Sequence, residues 1–395
     1  MLLDQTGFDR KSRIVTVLDE MMAGLEISPS QRELAQRRYE AAGNWLAESG
    51  NSLLRGLFIY LQGSTAVGTT VKPIGSNEHD VDLVAHRPSY ASIEPAELKK
   101  AIGDRLRENG HYAPLLEEMP RCWRLVYANE FHMDITPAIP NPACGNGGEL
   151  VPDKAMRCWK ASNPKGYREA FERRAAIKPQ LRLRKLQFDS ARPGANVEPY
   201  PQATGFKGIL RRIVQIAKRH RDIHFLGQEA CLAPISVIVT TLAAWAYEYC
   251  VSRNVYDSEL DLACDVIRHM PSFIEERLVA GRRQWFIWND TTEGENFAEK
   301  WNGDPRRAEA FFTWHRRLSA DLDALSAVEG MDRLNKNLRD SFGQAPVDKV
   351  FGRMTDEVSS ARRSGLLGLA PAVGLSVATS ATPVRANTFF GALVP

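Results

Sequence analysis

The chain has 395 residues, of which 44% are hydrophobic and 25% are charged, and its formal net charge at pH 7 is +3. This composition is typical of a globular protein long enough for two domains. So small a net charge excludes a protein that binds polyanions over its whole surface, and any phosphate binding must come from local clusters of basic residues.

The six cysteines are widely spaced and form no C-x-x-C pair, so the sequence predicts neither a zinc ribbon nor a thioredoxin-like site. Free thiols are typical of the reducing cytoplasm.

The N-terminus, MLLDQTGFDRK, lacks the apolar segment of a signal peptide. Residues 230–247 carry no charge, but Pro234 and several hydroxyl residues interrupt them, so they predict a buried helix rather than a membrane span. We therefore expect a cytoplasmic protein with no membrane partner.

The first half of the chain predicts a mixed sheet with flanking helices. In chain order we expect a helix over 27–49, a short buried strand over 57–61, an alternating strand over 80–85, a helix over 95–109, and strands over 122–128 and 131–139. Prolines and glycines between 137 and 148 predict a loop after the sheet.

The second half is predicted to be helical throughout. A basic segment over 166–185 favours a helix interrupted at Pro179, and residues 189–205 form a connector. Helices are then expected over 207–221, 230–253, 258–270 and 308–329, before a loosely ordered tail after residue 365. This pattern divides the chain into residues 1–205, with the sheet and the N-terminal helices, and residues 206–395, a helical domain with a flexible tail.

Three acidic side chains form the central pattern of the first half. Alternate residues of a strand share a face, so Asp80 and Asp82 project together, and Asp134 projects opposite the apolar residues of its own strand. If the two strands are neighbours, three carboxylates converge. Such a cluster repels itself unless cations neutralise it, and oxygen ligands suit Mg²⁺, with Mn²⁺ as an alternative.

Gly63 and Ser64 follow the first predicted strand. Glycine allows the backbone to approach a phosphate closely, and the serine hydroxyl can donate to it. Two metal ions about 4 Å apart can activate a hydroxyl and stabilise leaving pyrophosphate. Each motif alone is more often a turn or a solvated strand end, but their order with Asp134 favours a phosphoryl-transfer site.

At these residues the sequence resembles a known family. GSTAVGTTVKPIG followed by HDVDLV is similar to the polymerase-β-type nucleotidyltransferases, and specifically to the bacterial relatives of cyclic GMP-AMP synthase, the CD-NTases or SMODS synthases of CBASS anti-phage systems. Later segments carry the same resemblance: WKASNPKGY, LRRIVQIAKRHRD, APISVIVTTLAA, ENFAEKW and NTFFG. The resemblance implies an α+β fold, in which a nucleotidyltransferase palm is joined to a C-terminal helical domain.

The resemblance also implies roles for two further residues. Lys218 would contact the donor triphosphate, although such a lysine is more often part of a solvated basic face. Ser236 would bind the triphosphate near a helix N-terminus, where Pro234 is expected in the first turn; a simple capping serine is the alternative.

Other residues have less specific expectations. Lys165 is a further candidate phosphate contact, whereas His79 and His132 are expected to be structural. The pair Phe389-Phe390 is expected to pack the tail on the body.

The function implied is synthesis of a cyclic di- or trinucleotide from NTPs, with ATP or GTP or both as substrates and pyrophosphate as the second product. The cyclic product would reach a downstream effector, and regulatory or conjugating proteins are expected partners, whereas no stable nucleic acid is expected. Two alternatives stay open. One is a template-independent RNA or tRNA nucleotidyltransferase that makes linear products, and the other is an inactive nucleotide-binding scaffold.

Overall fold

The computed structural model describes residues 7–75, 79–89, 93–128, 130–153, 155–182, 208–370, 374–376 and 382–384. The predicted connector over 189–205, Lys207 and the pair Phe389-Phe390 lie outside the described residues.

Seven strands of the described residues form one mixed sheet, which confirms the predicted α+β class. Its order is β1-β2-β5-β4-β3, and β6 and β7 extend it from the far end of β5. The strands are β1 (Phe58–Gln62), β2 (Asp80–His86), β3 (Leu116–Glu118), β4 (Trp123–Tyr127), β5 (Phe131–Pro140), β6 (Glu149–Pro152) and β7 (Trp159–Ser162).

The predicted alternation appears in the two central strands. β2 and β5 pair in parallel, with Asp82 opposite Asp134. Apolar residues of both strands, among them Val81 and Met133, are buried on the other face. The first strand differs from expectation: it was predicted to be buried, but β1 lies at the sheet edge and pairs only with β2, so Phe58 is 53% exposed.

The helices lie before, around and after the sheet. They are α1 (Gly7–Gly24), α2 (Pro29–Ala47), α3 (Gly63–Val67), α4 (Pro95–Arg107), α5 (Pro164–Ala175), α6 (Ile209–His224), α7 (Ser236–Arg253), α8 (Glu259–His269), α9 (Glu299–Gly303), α10 (Arg306–Ala327), α11 (Met331–Phe342) and α12 (Gln344–Arg363). A helix is present at each predicted segment, although the one predicted over 166–185 ends at Ala175 and a strand follows at Gln180–Leu181; α3, α9, α11 and α12 add to the predicted helices.

The second half is not helical throughout, contrary to the prediction. An antiparallel hairpin joins β10 (Glu275–Val279) to β11 (Arg282–Phe286). Its two-residue turn, Ala280-Gly281, has φ values of 49° and 73°, the conformation that matches the twist of paired strands. The remaining strands are short: β8 (Gln180–Leu181), β9 (Val255–Tyr256), β12 (Gly368–Ala370), β13 (Gly374–Ser376) and β14 (Thr382–Pro383).

Two hydrophobic cores hold these elements together. One lies between the sheet, α2 and α4, and the larger lies among the helices of the second half. The N-terminal helix α1 contributes Ile14, Leu18 and Met22 to the larger core. Arg212 on α6 binds Glu26 through its Nη1 at 2.5 Å, which adds a polar tie to the segment after α1. The division of the chain at residue 205 stays a prediction. Helix α1, although it precedes this residue, packs with the helices that come after residue 205.

One apolar helix among the described residues is long enough, by length and composition, to cross a membrane; it falls within Ala230–Arg253. Within it a short 3-10 turn, Ala230–Leu232, precedes α7, which begins at Ser236. Most side chains of α7 from Ile238 to Val251 are buried in the larger core, among them Leu242 and Tyr247. This is the arrangement predicted for a core helix.

Candidate active site

A cleft of about 1120 Å³ lies between the carboxylate edge of the sheet and the helices of the second half. Six of the seven predicted site residues line it: Gly63, Ser64, Asp80, Asp82, Lys218 and Ser236. Asp134 stands directly opposite Asp82 on the neighbouring strand. The structure therefore brings together residues that are up to 173 positions apart in the sequence, from Gly63 to Ser236.

Asp80, Asp82 and Asp134 occupy one face of β2 and β5. The Asp80 side chain is 63% exposed, whereas that of Asp134 is 16% exposed. Among the described residues, three donor atoms lie within 4.8 Å of one another only at Cys250, Asp265 and His269. The aspartates thus share a face as predicted, but their carboxylates are more widely spaced than a closed ligand set.

Arg124, which the sequence analysis did not single out, holds Asp134 by two hydrogen bonds. Its Nε donates to Oδ1 at 2.6 Å and its Nη2 to Oδ2 at 2.8 Å, and Nη2 also lies 3.9 Å from Asp80 Oδ1. Because Arg124 stands opposite Asp134 in the β4–β5 register, the alternation of the WRLVY strand was a usable signal for it. The guanidinium fixes Asp134 and offsets part of the negative charge of the cluster.

Asp82 is the most electrostatically strained of the three aspartates. Burial, together with the charges of Asp80 and Asp134, raises the pKa of its carboxyl to about 7, while Arg124 and Lys218 act in the opposite direction. The carboxyl of Asp82 is thus both desolvated and close to two like charges. Either a bound cation or a proton would neutralise the charge of this carboxylate.

Gly63 is required at its position for two reasons. Its φ is +66°, which is costly for other residues, and a Cβ added here would lie 2.4 Å from Asp82 Oδ2. The neighbouring Ser64 receives a hydrogen bond from the Thr70 hydroxyl at 3.3 Å. The Gly-Ser pair therefore places the first turn of α3 directly against the carboxylate cluster.

Lys218 is not part of a solvated face, because it is only 4% exposed. Its Nζ donates to the Thr69 hydroxyl at 2.9 Å and lies 3.2 Å from the Thr69 carbonyl oxygen. Burial lowers the pKa of Lys218 to about 7, a shift to which nearby Arg221 also contributes and which Asp222 and Asp82 oppose. An anionic partner in the cleft, such as a phosphate, would favour the charged form of this buried lysine.

Ser236 is the first residue of α7 and not its cap. Ile235 occupies the N-cap position and Pro234 precedes it, so the expected placement of Pro234 in the first turn was wrong. The Ser236 hydroxyl instead accepts a hydrogen bond from Arg221 Nη1 at 3.1 Å. No side chain caps the start of α7, and its first two residues, Ser236 and Val237, line the cleft, where backbone N–H groups of a helix N-terminus can donate.

Other candidate residues have different surroundings. Lys165 Nζ lies 4.7 Å from the ring centres of both Phe58 and Tyr60, so it packs on aromatic faces rather than lining the cleft. His132 Nδ1 lies 3.7 Å from Asp80 Oδ1, and His79 is buried beside the Phe131 ring, consistent with structural roles.

The wall of the cleft also carries side chains that the sequence analysis missed. Phe286 and Trp288 stack with their ring centres 5.1 Å apart, at the end of the hairpin that was predicted to be helical. Basic residues accompany them on the cleft wall: Arg121, Lys160, Arg168 and Lys300. Acidic side chains stand beside these basic ones, and Lys160 Nζ pairs with Glu299 Oε1 at 2.8 Å, so the wall combines an aromatic surface with charges of both signs.

The donor set fits the magnesium that the family implies. Asp80, Asp82 and Asp134 offer only carboxylate oxygens, the ligands that Mg²⁺ prefers. The absence of a Cβ at Gly63 keeps the space beside Asp82 Oδ2 free. The carboxyls of Asp80 and Asp134 add negative charge beside this buried group.

Comparison with known proteins agrees with this geometry. Residues 13–174 match the Second Messenger Oligonucleotide or Dinucleotide Synthetase domain, SMODS. A c-di-GMP synthase of Roseivirga ehrenbergii is 29% identical over 385 residues, which cover 96% of this chain and 98% of the relative. The cyclic dinucleotide synthase CdnG of Bradyrhizobium diazoefficiens is 27% identical over 95% of this chain and 94% of its own length.

Solved structures show the same fold. The CdnG of Bradyrhizobium diazoefficiens in complex with GTP matches with a TM-score of 0.66 at 19% identity, covering 87% of this chain and 99% of that one. The CdnC of E. coli MS115-1 with ATP has a TM-score of 0.55 at 12% identity, over 86% and 98% of the two chains. The DncV cyclic AMP-GMP synthase of Vibrio cholerae has a TM-score of 0.51 at 15% identity, over 86% and 80%.

The fold and the aspartate-lined cleft define a nucleotidyltransferase of the polymerase-β type. Within this class, the SMODS match and the relatives similar along their full length indicate a single family. The chain belongs to the CD-NTase family, the bacterial relatives of cyclic GMP-AMP synthase.

Proposed function

We propose that this protein is a Mg²⁺-dependent nucleotidyltransferase that joins NTPs into a cyclic dinucleotide and releases pyrophosphate. The observation that carries the proposal is the pairing of Asp82 with Asp134 on parallel strands, across a cleft from the buried Lys218. The sequence relatives are a c-di-GMP synthase and a cyclic dinucleotide synthase. Because the name of the first relative includes c-di-GMP and the CdnG structure is a complex with GTP, GTP is the first substrate to test, with ATP as the second.

The residues of the cleft suit the binding of a triphosphate. Lys218 supplies a desolvated positive charge, Ser64 a hydroxyl, and the N-terminus of α7 at Ser236 free N–H donors. Asp80, Asp82 and Asp134 would hold Mg²⁺ or Mn²⁺, which when bound supplies positive charge against the triphosphate. The protein therefore acts by positioning and charge neutralisation.

Each bond-forming step is the same displacement. The ribose hydroxyl oxygen of one nucleotide attacks the α-phosphorus of another, the bond from that phosphorus to pyrophosphate breaks, and the hydroxyl proton leaves to solvent. A second displacement within the linear dinucleotide closes the ring. The cleft of about 1120 Å³ exceeds the roughly 300–1,000 Å³ of a usual small-ligand pocket, so it has room for two nucleotides. Phe286 and Trp288 offer one of them a stacking surface.

The test is incubation of the protein with labelled GTP, alone and with the other three NTPs, in Mg²⁺ or Mn²⁺. Products are treated with phosphatase and identified by mass spectrometry. We expect a phosphatase-resistant dinucleotide whose mass corresponds to loss of two pyrophosphates. Complete loss of label to phosphatase would assign the enzyme to the linear-product class, and no pyrophosphate with any NTP would assign it to the inactive scaffolds.

We further propose that the cyclic product acts as a signal in anti-phage defence and is recognised by a downstream effector. This proposal rests on the family to which the chain belongs. It is tested by introducing the protein, or its Asp80→Asn/Asp82→Asn variant, together with its neighbouring genes into a phage-sensitive host. Protection that is equal for the two proteins would contradict it.

A further inference from the structure

A second group of metal-binding side chains lies in the helical core, outside the cleft. Cys250 near the end of α7, and Asp265 and His269 on α8, each present one donor atom, and all three atoms lie within 4.8 Å of one another. None of the three lines the cleft. Among the described residues this is the one such group, and it combines sulfur, nitrogen and oxygen donors.

The distances in this group match a tetrahedral ion. Cys250 Sγ lies 3.8 Å from His269 Nδ1, which lies 3.3 Å from Asp265 Oδ1. Metal–ligand distances of about 2.0–2.3 Å place neighbouring ligands of a tetrahedral zinc roughly 3.4–3.6 Å apart. Two of the three separations thus lie within a few tenths of an ångström of the tetrahedral values, and the donor atoms of Cys250 and Asp265 lie within 4.8 Å of each other. The donor set suits Zn²⁺ and excludes Mg²⁺, which prefers oxygen.

Neighbouring side chains hold the ligands in place. The Tyr256 hydroxyl donates to Asp265 Oδ2 at 2.6 Å, and Asn254 Nδ2 lies 3.1 Å from the Tyr256 hydroxyl oxygen. Asp265 Oδ1 lies 3.3 Å from His269 Nδ1 and also accepts a hydrogen bond from Arg268 Nη1 at 3.3 Å, so outer partners hold both carboxylate oxygens. Metal ligands in proteins are commonly held by such hydrogen bonds from neighbouring side chains.

We propose that Cys250, Asp265 and His269 bind one Zn²⁺ ion that joins α7 to α8. Water would complete the coordination, because Cys250 is fully buried whereas the His269 side chain is 32% exposed. On binding, the Cys250 thiol releases its proton to solvent. His269 Nδ1, which lies 2.9 Å from the Asp265 carbonyl oxygen, gives up its hydrogen as the ring takes the Nε2–H form. The ion stabilises the end of α7 opposite Ser236.

The experiment uses the full chain, stripped with a chelator and titrated with Co²⁺ and then with Zn²⁺. One equivalent of Co²⁺ should produce thiolate charge-transfer absorption and visible bands of tetrahedral intensity, and Zn²⁺ should displace it. Tyr256→Phe should weaken Zn²⁺ binding about 10–100-fold. Cys250→Ala should abolish the charge-transfer band, and His269→Gln should weaken binding at least as much as Tyr256→Phe.

Cys264→Ala is the matched control, because Cys264 is also buried on α8 but lies 3.7 Å from the Ser326 hydroxyl instead of the ligand group. It should retain the full cobalt spectrum and the rise in melting temperature with Zn²⁺. Circular dichroism confirms the fold of each variant, and His269→Gln, at a partly exposed position, serves if Cys250→Ala fails to fold. A wild-type chain with no thiolate band, a band that survives in folded Cys250→Ala, or an unchanged Co²⁺ affinity in folded His269→Gln would overturn the proposal.

Discussion

Arg124 and Asp134 form a two-point ion pair, with the Nε–Oδ1 and Nη2–Oδ2 distances at 2.6 and 2.8 Å. The guanidinium therefore occupies both oxygens of a proposed metal ligand. A cation and Arg124 compete for the same carboxylate, so the pair sets the cation concentration at which the site fills.

We expect Arg124→Met to lower the Mg²⁺ concentration that gives half-maximal pyrophosphate release, because the competing charge is removed. The maximal rate should fall at the same time, because Asp134 loses its orientation. Magnesium titrations of initial rate test both effects, with Arg333→Met, at an exposed position on α11, as control. A higher Mg²⁺ requirement in Arg124→Met would show that Arg124 supports the ligands rather than competing with the ion.

Gly63→Ala should abolish turnover although it adds one methyl group. The new Cβ would lie 2.4 Å from Asp82 Oδ2, which must move. The positive φ adds a cost of about 1–2 kcal/mol to folding. Gly281→Ala is the matched control, since Gly281 has a φ of +73° with no atom within 4 Å of an added Cβ. The two variants should lose similar stability, and if they also kept similar activity the close approach at Gly63 would be irrelevant to catalysis.

The double variant Asp80→Asn/Asp82→Asn should lose pyrophosphate release and keep its fold. Removal of two of three neighbouring negative charges relieves repulsion, so the chelated protein should melt at an equal or higher temperature than wild type. Differential scanning calorimetry in chelator and a coupled pyrophosphate assay measure the two properties. Activity above about one per cent of wild type would remove these aspartates from the proposed ligand set.

Stability of the chelated protein should depend on pH through Asp82. Its pKa of about 7 in the folded chain, against 3.8 as the ordinary value, means that the folded state holds a proton that the unfolded state has released. Stability therefore falls as pH rises from about 4 to 7, by at most about 4 kcal/mol. Asp82→Asn removes this loss, so its advantage over wild type in urea unfolding should grow between pH 5 and pH 8. A constant difference, as expected for exposed Asp356→Asn, would contradict the shift.

Lys218 should matter for NTP binding and only slightly for stability at pH 7. Lys218→Met retains most of the apolar stem but loses the buried ammonium that donates to Thr69. We expect the NTP concentration for half-maximal rate to rise at least about tenfold, equivalent to about 1.4 kcal/mol of lost binding. Lys336→Met, at an exposed position, should leave the kinetics unchanged. Identical NTP titrations for both variants would leave Ser64 and the N-terminus of α7 to hold the triphosphate.

The sequence predicted the residues whose role depends on local periodicity. Alternation placed Asp80, Asp82 and Asp134 on one face, and the parallel pairing of β2 with β5 confirmed that these strands are neighbours. Contacts between distant segments could not be read in the same way. The burial of Lys218 depends on Thr69, which lies 149 residues earlier in the chain.

The hairpin β10–β11 was missed for a different reason. Its strands are largely exposed and rich in charged residues, so they show no apolar alternation. The usable signal in the sequence was Gly281, a residue that readily adopts the positive φ that this turn requires. Phe286, which this hairpin carries to the cleft wall, was missed with it.

The position of α1 has a practical consequence for dissection of the protein. The segment that matches the SMODS domain, residues 13–174, begins inside α1 and ends before α6. A fragment excised at these limits would keep Ile14, Leu18 and Met22 but lose the helices that cover them. Its newly bared apolar stripe would favour self-association. The limits of sequence similarity are therefore unsuitable limits for an autonomous folding unit, because the recognised domain depends on the rest of the chain to cover this stripe.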